Sequence, residues 1–330
     1  MPRLPPQDQD RPPEPAMDAF RVDRTYLGAH HGRNERRAWL AAGICAVTFL
    51  VQILGGLAFN SIALLAGGVH MAAHVAALTI AGLAYLLARR YAKDSRFAFG
   101  TGKIGYLAAF TNAVALAITA AVLAGESVMR LTQPETADFH GATPVAVSVL
   151  AINLLCMWLL RPAEAPQEAA EDGDLNLSAA HLHLAADVAV SVLTIAGLLA
   201  GEHLGWTWAD PLAGALGAVL VARFAWGLAR RSGAVLLDMS PNPRLAAEIG
   251  ARLEAAGGHV ADLHLWRLGP GHHAAIAVVR DAAGRPAAHY RTALADLPGL
   301  SHVTLEVRPE APHRDREIPA DALTRKSASV

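Results

Sequence analysis

Two pairs of metal-ligand residue types sit four positions apart inside long apolar stretches of this chain. His70 and His74 lie in one stretch, and His183 and Asp187 lie in another. A spacing of four places both members of a pair on one face of a helix. Each pair is a third to halfway along its stretch, over about 10 Å from either end at roughly 1.5 Å per residue. Side chains this short cannot reach water from that depth. An ionisable group so placed in a bilayer costs about 2.5–3.5 kcal/mol on insertion scales, so it needs a partner or a purpose. Three imidazoles and one carboxylate supply the four ligands of a tetrahedral divalent-metal site. A lone intramembrane histidine is more simply an interhelical hydrogen-bonding group; two pairs at comparable depth point to metal.

The elements that must carry these pairs are transmembrane helices. Of 330 residues, 53% are hydrophobic and 17% charged, against about 25% charged in soluble proteins. Six stretches have the length and apolarity of a span: Ala38–Phe59, Ile62–Ala88, Ile104–Leu123, Thr143–Leu160, Leu177–Ala200 and Pro211–Ala229. They are apolar all round, unlike soluble helices, which are apolar on one face. A net charge of −1 gives no basic stripe for nucleic acid. The residues before Met17 lack the apolar core of a signal peptide, which suggests a disordered cytoplasmic tail.

Basic residues set the expected orientation. Arg33, Arg36 and Arg37 precede the first stretch, Arg89, Arg90, Lys93, Arg96 and Lys103 fill the second-to-third connection, and Arg230 and Arg231 follow the sixth. The positive-inside rule then puts both termini in the cytoplasm, as an even number of spans requires. The Arg161–Asn176 connection is acidic and weighs little in that rule.

Beyond the sixth stretch the pattern becomes that of a soluble domain. Leu245, Ile249 and Leu253 mark an amphipathic helix over Pro241–Ala256. Strands are expected at His259–Arg267 and His273–Arg280 around a Gly269-Pro270-Gly271 turn, then a helix at Pro286–Ala295 and a strand at His302–Arg308. The organisation is therefore a disordered tail (1–37), a six-helix all-α transmembrane domain (38–232), a small α+β domain of order αββαβ (240–310) and a second disordered tail (311–330).

These features resemble the cation diffusion facilitator family over about residues 30–308. The paired His/Asp motifs match its transport-site signature. Further matches are Ser61-Ile62-Ala63-Leu64-Leu65-Ala66, Phe99-Gly100-Thr101-Gly102-Lys103, Glu126-Ser127 with Arg130-Leu131, Asp210-Pro211, and Asp262-Leu263-His264-Leu265-Trp266. The resemblance implies a homodimeric metal/proton antiporter in the inner membrane, with a ferredoxin-like cytoplasmic domain that helps pair two protomers. His70 stands where zinc exporters of the family commonly carry Asp. With Leu27-Gly28-Ala29-His30, Asn34-Glu35-Arg36-Arg37 and Trp266-Arg267-Leu268-Gly269-Pro270-Gly271-His272, it is similar to the DmeF-type cobalt/nickel branch. Replacing a carboxylate by imidazole suits cobalt, nickel or zinc better than manganese or magnesium, without separating cobalt from zinc. The branch usually has a histidine-rich fourth-to-fifth loop; here it is acidic until His181. Phe97 and Thr101 stand where some members hold a second metal, so that site is expected to be missing. His264 and His302 resemble positions near a regulatory metal site, although exposed strand-end histidines explain them equally well.

The expected function is efflux of cobalt or nickel, or alternatively zinc, by alternating access around His70, His74, His183 and Asp187. No prosthetic group is expected; the divalent ion is cargo and protons are the counter-ion. Binding needs neutral His and ionised Asp, so capture expels protons and a proton gradient can drive export. No Walker motif is present. An intramembrane metalloenzyme is the out-of-class rival, but no His-Glu-x-x-His occurs; a membrane metal sensor is a third reading, without an output motif. Other polar residues have plainer expectations: Cys45 and Cys156 as small buried hydrophobes, Glu126 and Arg130 as a local ion pair, and His30 and His31 as solvated. Asp94 and Lys103 are expected in interhelical or loop salt bridges, Gln52, Asn112 and Asn153 in hydrogen bonds of the bundle or to the metal ligands, and Trp266 in packing.

Overall fold

The computed structural model describes residues 25–58, 62–132, 139–161, 174–206, 208–239 and 242–309. The terminal tails before residue 25 and after 309, and most of the acidic connection (162–173), lie outside these residues. The chain divides into two compact units. One holds the first six helices together with Trp266–His273; the other holds the remaining C-terminal elements.

The first unit consists of α1 (His31–Ala58), α2 (Ile62–Arg90), α3 (Ile104–Thr132), α4 (Phe139–Leu159), α5 (Leu175–Leu204) and α6 (Ala209–Leu236). Each falls on one of the six expected stretches. Five of these helices are long and apolar enough to cross a membrane. In α4 the apolar part, Thr143–Leu159, is shorter than the roughly 20 residues of a straight crossing, and Pro144 lies near its start. Several helices also run past their apolar stretches. Residues 31–37, expected in the tail, are the opening turns of α1, because polar contacts hold them. Glu35 accepts from Arg89 Nε and Nη2 at 3.1 and 3.0 Å, and Asn34 Nδ2 donates to Asp174 Oδ2 at 2.9 Å.

Two apolar clusters build this unit, and α5 contributes to both. One joins Ala41 and Cys45 of α1, Met71, Leu78 and Ala81 of α2, Val149 and Cys156 of α4, and Leu177, Ala180 and Leu184 of α5. The other joins Ala109, Ala113 and Leu116 of α3 and Val221, Ala225 and Leu228 of α6 to Ala179 and Ala186 of α5. Alanine is so frequent because helices in lipid associate by close van der Waals contact, which small residues allow. At Gly197 of α5 a Cβ would lie 2.8 Å from Asp210 Cα of α6, so only glycine permits that approach. Outward positions such as Val47, Leu50, Val51 and Leu54 on α1 and Val219 and Trp226 on α6 are exposed and apolar, as a lipid-facing surface requires.

The C-terminal elements are α7 (Pro243–Ala255), β1 (His259–Gly269), β2 (His272–Asp281), α8 (Ala287–Ala293) and β3 (Leu300–Pro309), of which all but the β1–β2 turn segment Trp266–His273 form the second unit. This is the expected αββαβ order, with a sheet of order β1-β2-β3. Asn242 caps α7 by accepting from the Leu245 amide at 3.0 Å. The face expected from fourfold spacing, Leu245, Ile249 and Leu253, is buried against Leu265, Ala275, Val279 and Tyr290. Asp281 ends β2 and organises the next turn. Its buried carboxylate accepts from the amides of Ala283 and Arg285 and from the Arg285 guanidinium, which also donates to the carbonyls of Ala256 and Gly257. Hydrogen bonds from Arg285 hold the Asp281 carboxyl well below the usual carboxylate range.

Candidate metal centre

The metal-type pairs come from α2 and α5, both inside the first unit. Asp174 starts α5 by capping the amides of Asn176 and Leu177 at 3.1 and 3.2 Å. The helix ends at Gly205 (φ 71°), a left-handed residue that stops it cleanly. Between those ends, fourfold spacing sets His183 and Asp187 on the same face, and both are buried. On α2, His74 is 1% exposed and His70 half-buried.

The two pairs converge. His74 Nε2 lies 3.1 Å from His70 Nε2, while His74 Nδ1 lies 3.5 Å from Asp187 Oδ2. His183 Nε2 is 3.3 Å from the same carboxylate oxygen. The His74 ring stands edge-on to both His70 and His183, with centroids 4.7 and 5.1 Å away. Ligand atoms of His70, His74 and Asp187 all fall within 4.8 Å of one another. His183 is outside that tightest group and joins it through Asp187. In a tetrahedral site with bonds near 2.05 Å, donors are about 3.3 Å apart, which is the range found here. Asp187 Oδ2, His74 Nδ1 and His183 Nδ1 are buried and make no hydrogen bond among the described residues. Buried polar atoms are rarely left so, and this concentration fits a donor set kept for a cation.

The cytoplasmic candidates do not assemble in the same way. His264 is exposed, with Nε2 2.9 Å from Asp262 Oδ2 on its own strand, and His302 is half-buried on β3. Among the described residues neither belongs to a group of three metal-type side chains. Of the positions resembling a second site, Thr101 donates its hydroxyl to Ala88 O at 2.7 Å, and Phe97 packs on Tyr91.

Of the other expectations, some hold and some need correcting. Arg130 pairs with Asp210 of α6 at 3.3 Å, not with Glu126, because α3 and α6 are close neighbours. His31 is not simply solvated: its Nε2 contacts Tyr85 O at 2.9 Å and its ring stands edge-on to Tyr85. Asp94 binds Arg96 within its loop, and Lys103 pairs with Asp238. Asn112 donates weakly to Ala77 O at 3.4 Å, whereas Gln52 Oε1 and both amide atoms of Asn153 make no hydrogen bond among the described residues. One junction went unseen in sequence: Asp174 also accepts from Asn34 and, at 2.5 Å, from the Tyr85 hydroxyl, tying α1, α2 and α5 together. Its position just before an apolar run was a readable N-cap signal.

Residues 38–237 match the family model described as the cation efflux transmembrane domain. The chain belongs to the cation efflux family. It is 35% identical to the zinc transporter ZitB of Escherichia coli over 241 residues, 72% of this chain and 74% of that one. To the cadmium, cobalt and zinc/H(+)-K(+) antiporter of Bacillus subtilis it is 28% identical over 302 residues, covering 88% and 95% of the two chains. To the metal cation efflux system protein CzcD of Cupriavidus metallidurans it is 31% identical over 284 residues, 84% and 87%. This cation efflux protein is thus a multi-pass membrane transporter of the cation diffusion facilitator type, not an enzyme. The metalloenzyme and sensor readings fall away.

Proposed function

We propose that this transporter exports a borderline divalent transition-metal ion in exchange for protons, binding it at His70, His74, His183 and Asp187. The observation that carries the reading is the convergence of His70, His74 and Asp187 within 4.8 Å inside apolar helices. A nitrogen-rich set with one carboxylate favours zinc and cobalt over magnesium or manganese. The names of two of the relatives, the zinc transporter and the cadmium, cobalt and zinc antiporter, include zinc, cadmium and cobalt. Zinc therefore stands at least level with cobalt as cargo, and the cobalt/nickel preference implied by the DmeF-type motifs is the narrower version of the same proposal.

In this reading the ion enters from the cytoplasm and displaces protons from the imidazoles and the carboxylate. After the helices rearrange, returning protons release it on the far side. Both termini face the cytoplasm of an inner membrane, α4 completes a sixth crossing, residues 38–232 carry transport, and the domain at 240–310 is a ferredoxin-like module that pairs two protomers. His264 and His302 would join a regulatory site only if that pairing brings further donors.

Liposomes with an imposed pH gradient and a trapped pH dye test the proposal. Uptake of zinc, cobalt, nickel and cadmium is compared with simultaneous proton counterflow. Zinc or cobalt flux coupled to protons supports the reading, and cobalt and nickel flux with little zinc supports its narrower form. Flux that persists without any proton movement overturns antiport.

A further inference from the structure

Cys45 of α1 and Cys156 of α4 are the chain's two cysteines. Both are 0% exposed, and their Sγ atoms lie 3.7 Å apart. They sit in the α1–α2–α4–α5 cluster with Ala41 and Leu160, and no hydrogen bond among the described residues links them to the His/Asp centre. Two thiols in direct contact on different helices amount to more than two small core residues. A disulfide needs about 2.05 Å between sulfurs, so closure asks for a movement of about 1.7 Å, within reach of side-chain rotation and a slight helix shift.

We propose that Cys45 and Cys156 are a modification site, a buried dithiol whose two-electron oxidation bonds α1 to α4. A peroxide is the class of oxidant that serves, because it is small and neutral enough to enter an apolar bundle. The two S–H bonds break and one S–S bond forms. Two electrons and two protons pass to hydrogen peroxide, whose O–O bond breaks to give two waters. The product is neutral, as the apolar surroundings require.

The bond would have a mechanical consequence. α1 packs chiefly on α2, and α4 chiefly on α5. Just past the end of α4, the Arg161 carbonyl accepts an exposed hydrogen bond from Arg37 Nη1 of α1 at 2.9 Å. A disulfide would make α1 and α4 move together, slowing any rearrangement that separates them. This consequence rests on the transport reading above; formation of the bond does not.

Purified full-length protein in liposomes is treated with hydrogen peroxide and then denatured for thiol counting and intact-mass measurement. The expected product has lost both thiols, is lighter by two hydrogens, runs as a monomer on a non-reducing gel and is restored by dithiothreitol. Zinc flux in the same vesicles is expected to fall by about fivefold or more on oxidation and to recover on reduction, while Cys45→Ala and Cys156→Ala keep their flux under peroxide. Persistence of both thiols, or oxidation to sulfinic acid in place of the disulfide, overturns the site. A disulfide that leaves flux unchanged overturns the mechanical consequence. Absence of flux from the untreated protein would count against transport of zinc without touching the thiol result.

Discussion

His74 on α2 faces Asp187 on α5 with its Nδ1 3.5 Å from the carboxylate Oδ2, although nothing local in the chain links the two helices. His74 also presents Nε2 to His70, so one imidazole stands at the middle of the cluster. Its removal should affect the site more than that of any other member.

His74→Ala and Asp187→Ala are expected to lower zinc or cobalt flux by at least about 100-fold, since even residues behind a ligand cost up to that much in metal affinity. Helix content and monodispersity in detergent should stay at wild-type values. Normal flux in Asp187→Ala would remove the carboxylate from the site.

Because binding requires unprotonated donors, apparent zinc affinity should rise with pH, by up to about tenfold per unit for each proton displaced. Calorimetry in two buffers of different ionisation enthalpy counts those protons. A pH-independent affinity with no buffer effect would contradict proton-coupled binding.

Gly197→Ala should destabilise the α5–α6 packing by about 1–3 kcal/mol, because the new methyl meets backbone that cannot turn aside. Thermal unfolding in nanodiscs measures this. Gly125→Ala, whose Cβ meets nothing within 4 Å, is the control expected to melt as wild type.

Asp174→Ala removes the α5 cap and leaves the Asn34 amide and Tyr85 hydroxyl without their acceptor. A loss of about 1–3 kcal/mol is expected. Tyr85→Phe, which deletes one of these bonds, should cost less. Equal melting temperatures for Asp174→Ala and wild type would show that the junction contributes nothing.

Asp281 gives the soluble elements an acid dependence. Its carboxyl is held below its unfolded value by Arg285, so its contribution is present above about pH 4. It disappears as pH falls from there through the folded value. Hydrogen exchange of the Ala283 and Arg285 amides in the full chain should stay slow from neutral pH to about 4 once the intrinsic acid dependence is removed. In Asp281→Asn these amides should exchange fast at every pH. Equal protection in the two proteins would assign the turn's order to something else.

What the sequence determined by itself is local in range. Fourfold spacing put His70 with His74 and His183 with Asp187, apolar length located the helices, and the periods of four and two placed α7 and the three strands. These follow from backbone geometry within a few residues, which every stretch of chain carries with it. Tertiary structure decided which elements meet. It joined α2 to α5, left His183 outside the tightest group, and gave Arg130 to Asp210 in place of Glu126. It also made Asp174 a junction of three helices and brought Cys45 against Cys156. The meeting of α2 with α5 was implied only by pooling the two ligand pairs into one site; the other pairings were not legible beforehand, because helices in lipid select neighbours by close packing of small side chains. An alanine-rich surface looks much the same in sequence whichever helix it will touch.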